Sequence, residues 1–253
     1  MGPDFKHCIV ICGGEGKRTE KRFVLKWDNI RDLKSLKLFS NLRRKPKPLF
    51  KIWDIPVIFW VIDFWKNYTE DFIFITGYKK EKLDEYIKKL EIDSSIIEDN
   101  ELTGLANALN MSKDHVKGKF IVALGDCICK GKFNFPENME VGFGVFETNK
   151  EEDIKRSYSV EVKDGLAKKV VEKPKELVNN LCGMGFYFFD ERVFKYIEKT
   201  EPSERTARVE LTDVIQTMID AGEKVTPVIF EGEYLNITYP EDIEMAKKIL
   251  PEI

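Results

Sequence analysis

Apolar and polar positions follow two patterns in the first half of the chain. Runs 8–12, 71–76 and 120–125 are apolar nearly throughout, as in strands buried on both faces. Between them, apolar residues recur at helical spacing over 56–67, 79–90 and 103–113. Pro56 sits in the first turn of the first of these helices, where a missing amide costs little. Two more short strands are predicted at 50–53 and 94–98. Strand and helix in regular succession imply an α/β fold, with a mostly parallel central sheet and helices on both faces. Ligands on such sheets bind beyond the carboxyl ends of the strands.

The second half is richer in strands. They are predicted at 141–148, 158–163, 167–172, 183–189 and 225–230, with Lys163-Asp164-Gly165 as a hairpin turn. Helices are predicted at 191–199, 209–221 and 239–249. With no internal repeat, low-complexity tract or linker-like stretch, a single domain over 1–253 is expected, its C-terminal part finishing the sheet and lidding the site. One segment stands apart. Residues 19–44 are charged and mostly polar, with Ile30, Leu33, Leu36 and Phe39 near helical spacing and Asp28 as a cap.

Composition narrows the class. With 34% charged and 43% apolar residues the chain is a soluble globular protein rather than a disordered one. A net charge of -3 gives no global footprint for nucleic acid. No apolar run reaches the ~18 residues of a membrane helix, and the N-terminus lacks the shape of a signal peptide. The five cysteines form no C-x-x-C pair, and the two histidines are distant in sequence. Buried thiols in a reduced, cytoplasmic compartment are expected rather than disulfides or a zinc site.

The candidate chemistry begins where the first strand stops. Run 8–12 ends at Gly13, Gly14 and Gly16, followed by Lys17 and Arg18. Glycines let backbone approach a ligand closely, and amides with cations beside them suit an anion. This is not a P-loop, because Ile11 and Arg18 occupy the places of its first glycine and its Ser or Thr. Nor is it the dinucleotide fingerprint, whose third glycine falls on Thr19. Downstream, Lys47 is held between Pro46 and Pro48 in a second basic stretch. Together the two stretches suggest a nucleoside triphosphate held by glycines and Arg18, with a rigidly placed Lys47 beside it. Asp126 follows run 120–125, at the same carboxyl edge of the sheet.

Taken in order, Gly13-Gly14-Glu15-Gly16-Lys17-Arg18, Pro46-Lys47-Pro48-Leu49, Leu124-Gly125-Asp126 and Glu172-Lys173-Pro174 resemble the signature of sugar-phosphate nucleotidylyltransferases. The nearest resemblance is to the glucose-1-phosphate thymidylyltransferase-like branch. Gly104-Leu105-Ala106-Asn107-Ala108 resembles its base-side loop; 183–190 and Glu210-Leu211-Thr212-Asp213 also have counterparts there. The resemblance covers 8–250 and implies the nucleotide-diphospho-sugar transferase type of fold. It also implies an enzyme that joins a nucleoside triphosphate and a sugar-1-phosphate into a nucleotide sugar, releasing pyrophosphate, with Mg2+ as cofactor.

By that resemblance, Gly13, Gly14 and Gly16 approach the nucleotide, Gly104 lies under the base, and Arg18 binds the departing phosphates. Lys47 bridges the α-phosphate and the incoming phosphate. Asp126 holds Mg2+, Glu172 bonds sugar hydroxyls, and Lys173 pairs with the sugar phosphate. Three departures from the family pattern stand out. The 19–44 segment is longer than in typical relatives, Lys17 replaces a threonine, and Asn236 replaces the aspartate that is the common second metal ligand. Two other readings remain: a cytidylyltransferase acting on a polyol, amino-alcohol or inositol phosphate, and a catalytically silent nucleotide-sugar binder. The base, the sugar and the oligomeric state are not legible. No hexapeptide-type repeat follows, so no acyltransferase domain is expected.

Overall fold

The computed structural model describes residues 2–13, 45–102 and 104–252. In chain order, β1 (His7–Ile11) is followed by a 3-10 turn at Lys47–Leu49 and the short hairpin β2 (Lys51–Ile52) and β3 (Ile55–Pro56). Then come α1 (Val57–Trp65), β4 (Asp71–Thr76), α2 (Lys80–Ile87), β5 (Asp93–Glu98), α3 (Leu105–Asn110) and β6 (Phe120–Leu124). The second half comprises β7 (Cys127–Asn134), β8 (Val141–Glu147), α4 (Glu151–Arg156), β9 (Tyr158–Lys163), β10 (Leu166–Glu172) and β11 (Leu181–Phe189). It closes with α5 (Arg192–Ile197), α6 (Leu211–Asp220), β12 (Val225–Asn236) and α7 (Pro240–Ile249).

The main sheet runs β5-β4-β1-β6-β11-β8-β12-β7, and the β9–β10 hairpin joins it where Ser159 pairs with Cys182. Strands β5, β4, β1 and β6 are mutually parallel, and β12 is parallel to β8; β11 and β7 run against their neighbours. Alternation divides the core into two layers. Cys8, Val10, Phe72, Phe74, Ile121 and Ala123 face a cluster that includes α1 through Trp60, Val61 and Trp65. Ile9, Ile11, Ile73, Ile75 and Val122 face the opposite cluster, with α3, α5 and α6. Helices therefore cover both faces of a mostly parallel sheet. Among the described residues no helix is long and apolar enough to cross a membrane.

Differences from the sequence expectation have physical causes. The helix expected over 103–113 splits into α3 and a 3-10 turn at Lys113–His115. The strand expected at 225–230 continues to Asn236, because it pairs along its whole second half with β7, which was not anticipated. That ribbon carries Lys130-Gly131-Lys132 opposite Glu231-Gly232-Glu233, a polar, glycine-centred sequence without strand alternation. Gly131 and Gly232 face each other so closely that a Cβ on either would overlap the opposite chain's carbonyl oxygen, Glu231 or Lys130. Helix α4 was likewise not anticipated; one buried residue, Ile154, anchors it. The 163–165 turn matches expectation, with Asp164 (φ 54°) and Gly165 (φ 74°) in the left-handed conformation of a type I′ hairpin. The helix expected within 19–44 lies outside the described residues.

Candidate active site

The ends of β1, β4 and β6 are tied together at their carboxyl rim. The Cys12 amide donates to the Ile75 carbonyl (2.8 Å) and the Gly125 amide to the Ile11 carbonyl (2.9 Å). A Cβ at Gly125 would overlap Cys12 Sγ at 2.5 Å and touch Pro48 Cγ at 3.4 Å, so glycine lets the end of β6 lie close against Cys12 and the turn that carries Lys47. With glycine in place, Lys47 Nζ reaches Asp126 Oδ2 at 2.9 Å. Lys47 itself opens a 3-10 turn closed by Leu49 N–Pro46 O (3.0 Å) and Phe50 N–Lys47 O (2.9 Å), with prolines on either side.

Asn236 comes to the same corner by register. It pairs with Cys127 across β12 and β7, and the next residue, Ile237, donates its amide to the Asp126 carbonyl (2.8 Å). The Asn236 side chain is exposed, its Oδ1 accepting from Thr238 Oγ1 at 3.2 Å. Among the described residues no three His, Cys, Asp or Glu side chains gather as a preformed metal cage. One carboxylate and one amide oxygen nevertheless suit a small hard cation that draws its other ligands from phosphate and water. Burial, reinforced by Asp126, pushes the neighbouring thiols of Cys12 and Cys127 above the usual thiol range.

At the end of β1, Gly13 lies against the loop that follows β5. The Asp99 carboxylate organises this loop by accepting the amides of Glu101 (3.2 Å) and Leu102 (2.9 Å). A Cβ at Gly13 would sit 3.6 Å from both Asp99 Oδ2 and Leu102 Cδ2, so the described neighbours leave room and its absence keeps that space open. Gly104 precedes α3 at φ 120°, a conformation that disfavours any side chain, and the Arg208 side chain lies over it.

Elsewhere β10 finishes at Glu172, opposite Tyr158 of β9, and the chain turns through Lys173 (φ 49°), whose amide donates to the Ser157 carbonyl (2.7 Å). Lys173 Nζ stands 3.3 Å from Glu172 Oε1, and Arg205 Nη2 bridges Glu172 (3.6 Å) and Glu210 (3.2 Å). Burial raises the Glu172 pKa; Lys173 and Arg205 oppose that rise and Glu210 adds to it. Burial also raises the phenol of Tyr187, with the charge of Glu172 adding to the rise.

The structure thus brings Lys47, Asp126 and Asn236 to one corner and pairs Glu172 with Lys173, while Gly13 and Gly104 flank the loop between β5 and α3. Gly14, Gly16 and Arg18 lie outside the described residues. Sequence reasoning missed Asp99, Arg205 and Arg208, which stand in polar runs without periodicity. It did single out 210–213, which proves to be a reciprocal cap of α6 by Glu210 and Asp213.

Residues 38–248 match the family model described as nucleotidyl transferase. The chain belongs to the nucleotidyl transferase family. This nucleotidyl transferase is 30% identical to the bifunctional protein GlmU of Methanocaldococcus jannaschii, over 96% of this chain and 53% of that protein. It is 29% identical to the UTP–glucose-1-phosphate uridylyltransferase AglF of Haloferax volcanii, over 82% of this chain and 89% of that one. The chain therefore spans about half the length of the bifunctional relative. A solved structure of UDP-glucose pyrophosphorylase with UDP-glucose superposes at a TM-score of 0.76 and 18% identity, covering 96% of this chain and 97% of the other. That likeness fixes the fold as the nucleotide-diphospho-sugar transferase type expected from the sequence.

Proposed function

We propose that the chain is a single nucleotidyltransferase domain that moves a nucleotidyl group from a nucleoside triphosphate to a sugar-1-phosphate, releasing pyrophosphate. The observation that carries this is the contact of Lys47 with Asp126 at the carboxyl rim, next to Gly125, whose amide donates to the last carbonyl of β1. An attacking sugar phosphate is already ionised at neutral pH, so no general base is required. Two anions must instead be brought together, and catalysis is positioning plus charge stabilisation.

In this reading Lys47 leaves Asp126 and places its ammonium between the α-phosphate and the incoming phosphate. Arg18, outside the described residues, takes the departing phosphates. Asp126, with Asn236 beside it, would hold Mg2+, which when bound neutralises phosphate charge. Gly13, Gly14 and Gly16 admit the nucleotide backbone-first, and Gly104 leaves space for the base. Glu172 accepts hydrogen bonds from sugar hydroxyls, and Lys173 and Arg205 face the sugar phosphate. The relative named for glucose-1-phosphate uridylyl transfer supports a hexose-1-phosphate as acceptor. Five free buried thiols suit a reducing, cytoplasmic setting for nucleotide-sugar synthesis.

Pyrophosphate release over a grid of nucleoside triphosphates and phosphate acceptors tests this. Release should require both a triphosphate and a sugar-1-phosphate. Release with polyol, amino-alcohol or inositol phosphates alone would move the acceptor to that class. No release with any pair would overturn the reading.

A further inference from the structure

The two oxygens of the Asp126 carboxylate have different neighbours. Oδ2 takes Lys47 Nζ at 2.9 Å. Oδ1 faces the thiol of Cys127 at 3.9 Å, a long contact even for sulfur. That thiol is buried and in turn stands 3.2 Å from the Tyr234 hydroxyl, which accepts the Gly185 amide at 3.0 Å.

A backbone amide only donates, so the Tyr234 oxygen accepts from Gly185. Between Tyr234 and Cys127 either atom can be the donor. When the hydroxyl gives its proton to the sulfur, the thiol has its own left for Asp126 Oδ1, and each proton of the series then has an acceptor. Packing holds each member in place. The Tyr234 ring lies against Phe146 and Phe186, with centroids 5.4 and 5.7 Å away. Gly185 admits the thiol because it has no side chain: a Cβ there would stand 2.8 Å from Cys127 Sγ and 2.9 Å from Leu124 Cδ1. Tyr234 also lies two residues before Asn236 on β12, so one strand carries both the hydroxyl and the amide that meet the Asp126 corner.

We propose that Tyr234 is a positioning residue for Asp126, its hydroxyl fixing the Cys127 thiol so that thiol and Lys47 together set the plane of the carboxylate. This rests on reading Asp126 as the group that meets the triphosphate with its metal. A purely packing role for Tyr234 predicts something else, since phenylalanine would fill the same space.

The test compares Tyr234→Phe, Cys127→Ala, the double variant and Cys127→Ser, which keeps a donor. Mn2+ binding is followed by electron paramagnetic resonance, with the α,β-methylene analogue of whichever triphosphate the wild type turns over. The Mg2+ dependence of turnover and the KM for sugar phosphate are measured alongside. Tyr234→Phe and Cys127→Ala should each weaken Mn2+ binding about 10-fold, the scale of losing a group that orients a metal ligand. The double variant should be no worse than either single one, Cys127→Ser should retain the wild-type profile, and sugar-phosphate KM should not move. Wild-type Mn2+ binding in Tyr234→Phe, or additive losses in the double variant, would overturn the proposal. If Tyr234→Phe does not fold, Cys127→Ala against Cys127→Ser decides: equal Mn2+ binding in the two refutes it. A wild type that releases pyrophosphate with no substrate pair refutes the functional reading instead, a separate outcome.

Discussion

Lys47 and Asp126 lie 79 residues apart in sequence and form an ion pair of 2.9 Å, each side chain about one-fifth exposed (19% and 22%). Without substrate the lysine is therefore already aimed and its charge balanced, and an arriving phosphate exchanges one anionic partner for another. Lys47→Ala should cut turnover by about 100-fold, the scale of losing one aimed charge. The melting temperature should change little, because water reaches both groups and the prolines of the turn remain. Steady-state kinetics with a parallel thermal melt checks this; unchanged turnover would remove Lys47 from the reaction.

The same pair makes an opposite forecast for nucleotide affinity. Asp126→Asn leaves Lys47 without its carboxylate and removes a negative charge from the phosphate site. Triphosphate binding in the presence of a chelator should then tighten, while turnover in Mg2+ is nearly abolished. Calorimetry under both conditions separates the effects. Weaker chelated binding in the variant would mean that Asp126 contacts the nucleotide directly.

Glu172 sets a pH dependence whose sign follows from its surroundings. Burial raises its pKa above the ordinary carboxylate value, against the pull of Lys173 and Arg205. As an acceptor for sugar hydroxyls it works ionised, so sugar-phosphate KM should rise as pH falls through that raised value. Glu172→Gln should flatten this limb and raise KM at neutral pH. Stability runs the other way: where the folded state alone keeps the proton, rising pH costs folding free energy. The Gln variant should therefore gain stability relative to wild type only above the unfolded carboxylate pKa. Identical pH–KM profiles for the two proteins would remove Glu172 from sugar binding.

Gly104 combines φ 120° with an arginine laid over it, a substituted Cβ standing 3.3 Å from Arg208 Cβ. Gly104→Ala should destabilise by about 1–3 kcal/mol, the cost of a strained backbone conformation. It should also weaken nucleotide binding more than sugar-phosphate binding. Urea unfolding and separate titrations of the two substrates measure the two consequences; a larger loss on the sugar side would place this loop elsewhere.

How much of this was legible depended on whether the signal was local. The strands at Asp71–Thr76 and Tyr158–Lys163 announce themselves by composition and boundaries, and Asp164-Gly165 by turn chemistry. Lys47 and Asp126 stood out because each sits at a rigid local device, Lys47 between two prolines and Asp126 after a buried strand and its glycine. Their contact is a property of the sheet, which sets the Lys47 turn against Gly125. The β7–β12 ribbon was missed because paired glycines and opposite charges, rather than apolar alternation, hold it together. Arg205 reaches from the segment it shares with Glu210 to Glu172 at the end of β10, and Tyr234 reaches Cys127 across 107 residues. No spacing in the sequence records such meetings, because they depend on strand register between distant segments.

Asn236 gives the last forecast. It stands opposite Cys127 at the end of β12, next to Asp126 through the Ile237 amide, yet its Oδ1 is already engaged by Thr238 Oγ1 at 3.2 Å. The corner thus holds one carboxylate and one neutral amide, a weak cradle for a doubly charged ion on its own. Mg2+ should bind poorly to the free protein and well in the presence of triphosphate, arriving with the phosphates. Asn236→Asp adds the missing charge and should lower the Mg2+ concentration for half-maximal rate. It should also permit Mn2+ binding without nucleotide, detectable by electron paramagnetic resonance. Thr238→Val makes a second comparison, since freeing Asn236 Oδ1 from its intramolecular donor should shift the Mg2+ profile in the same direction but less. If the Asn236→Asp titration overlays that of the wild type while sugar-phosphate affinity changes, Asn236 meets hydroxyls of the substrate and not the metal.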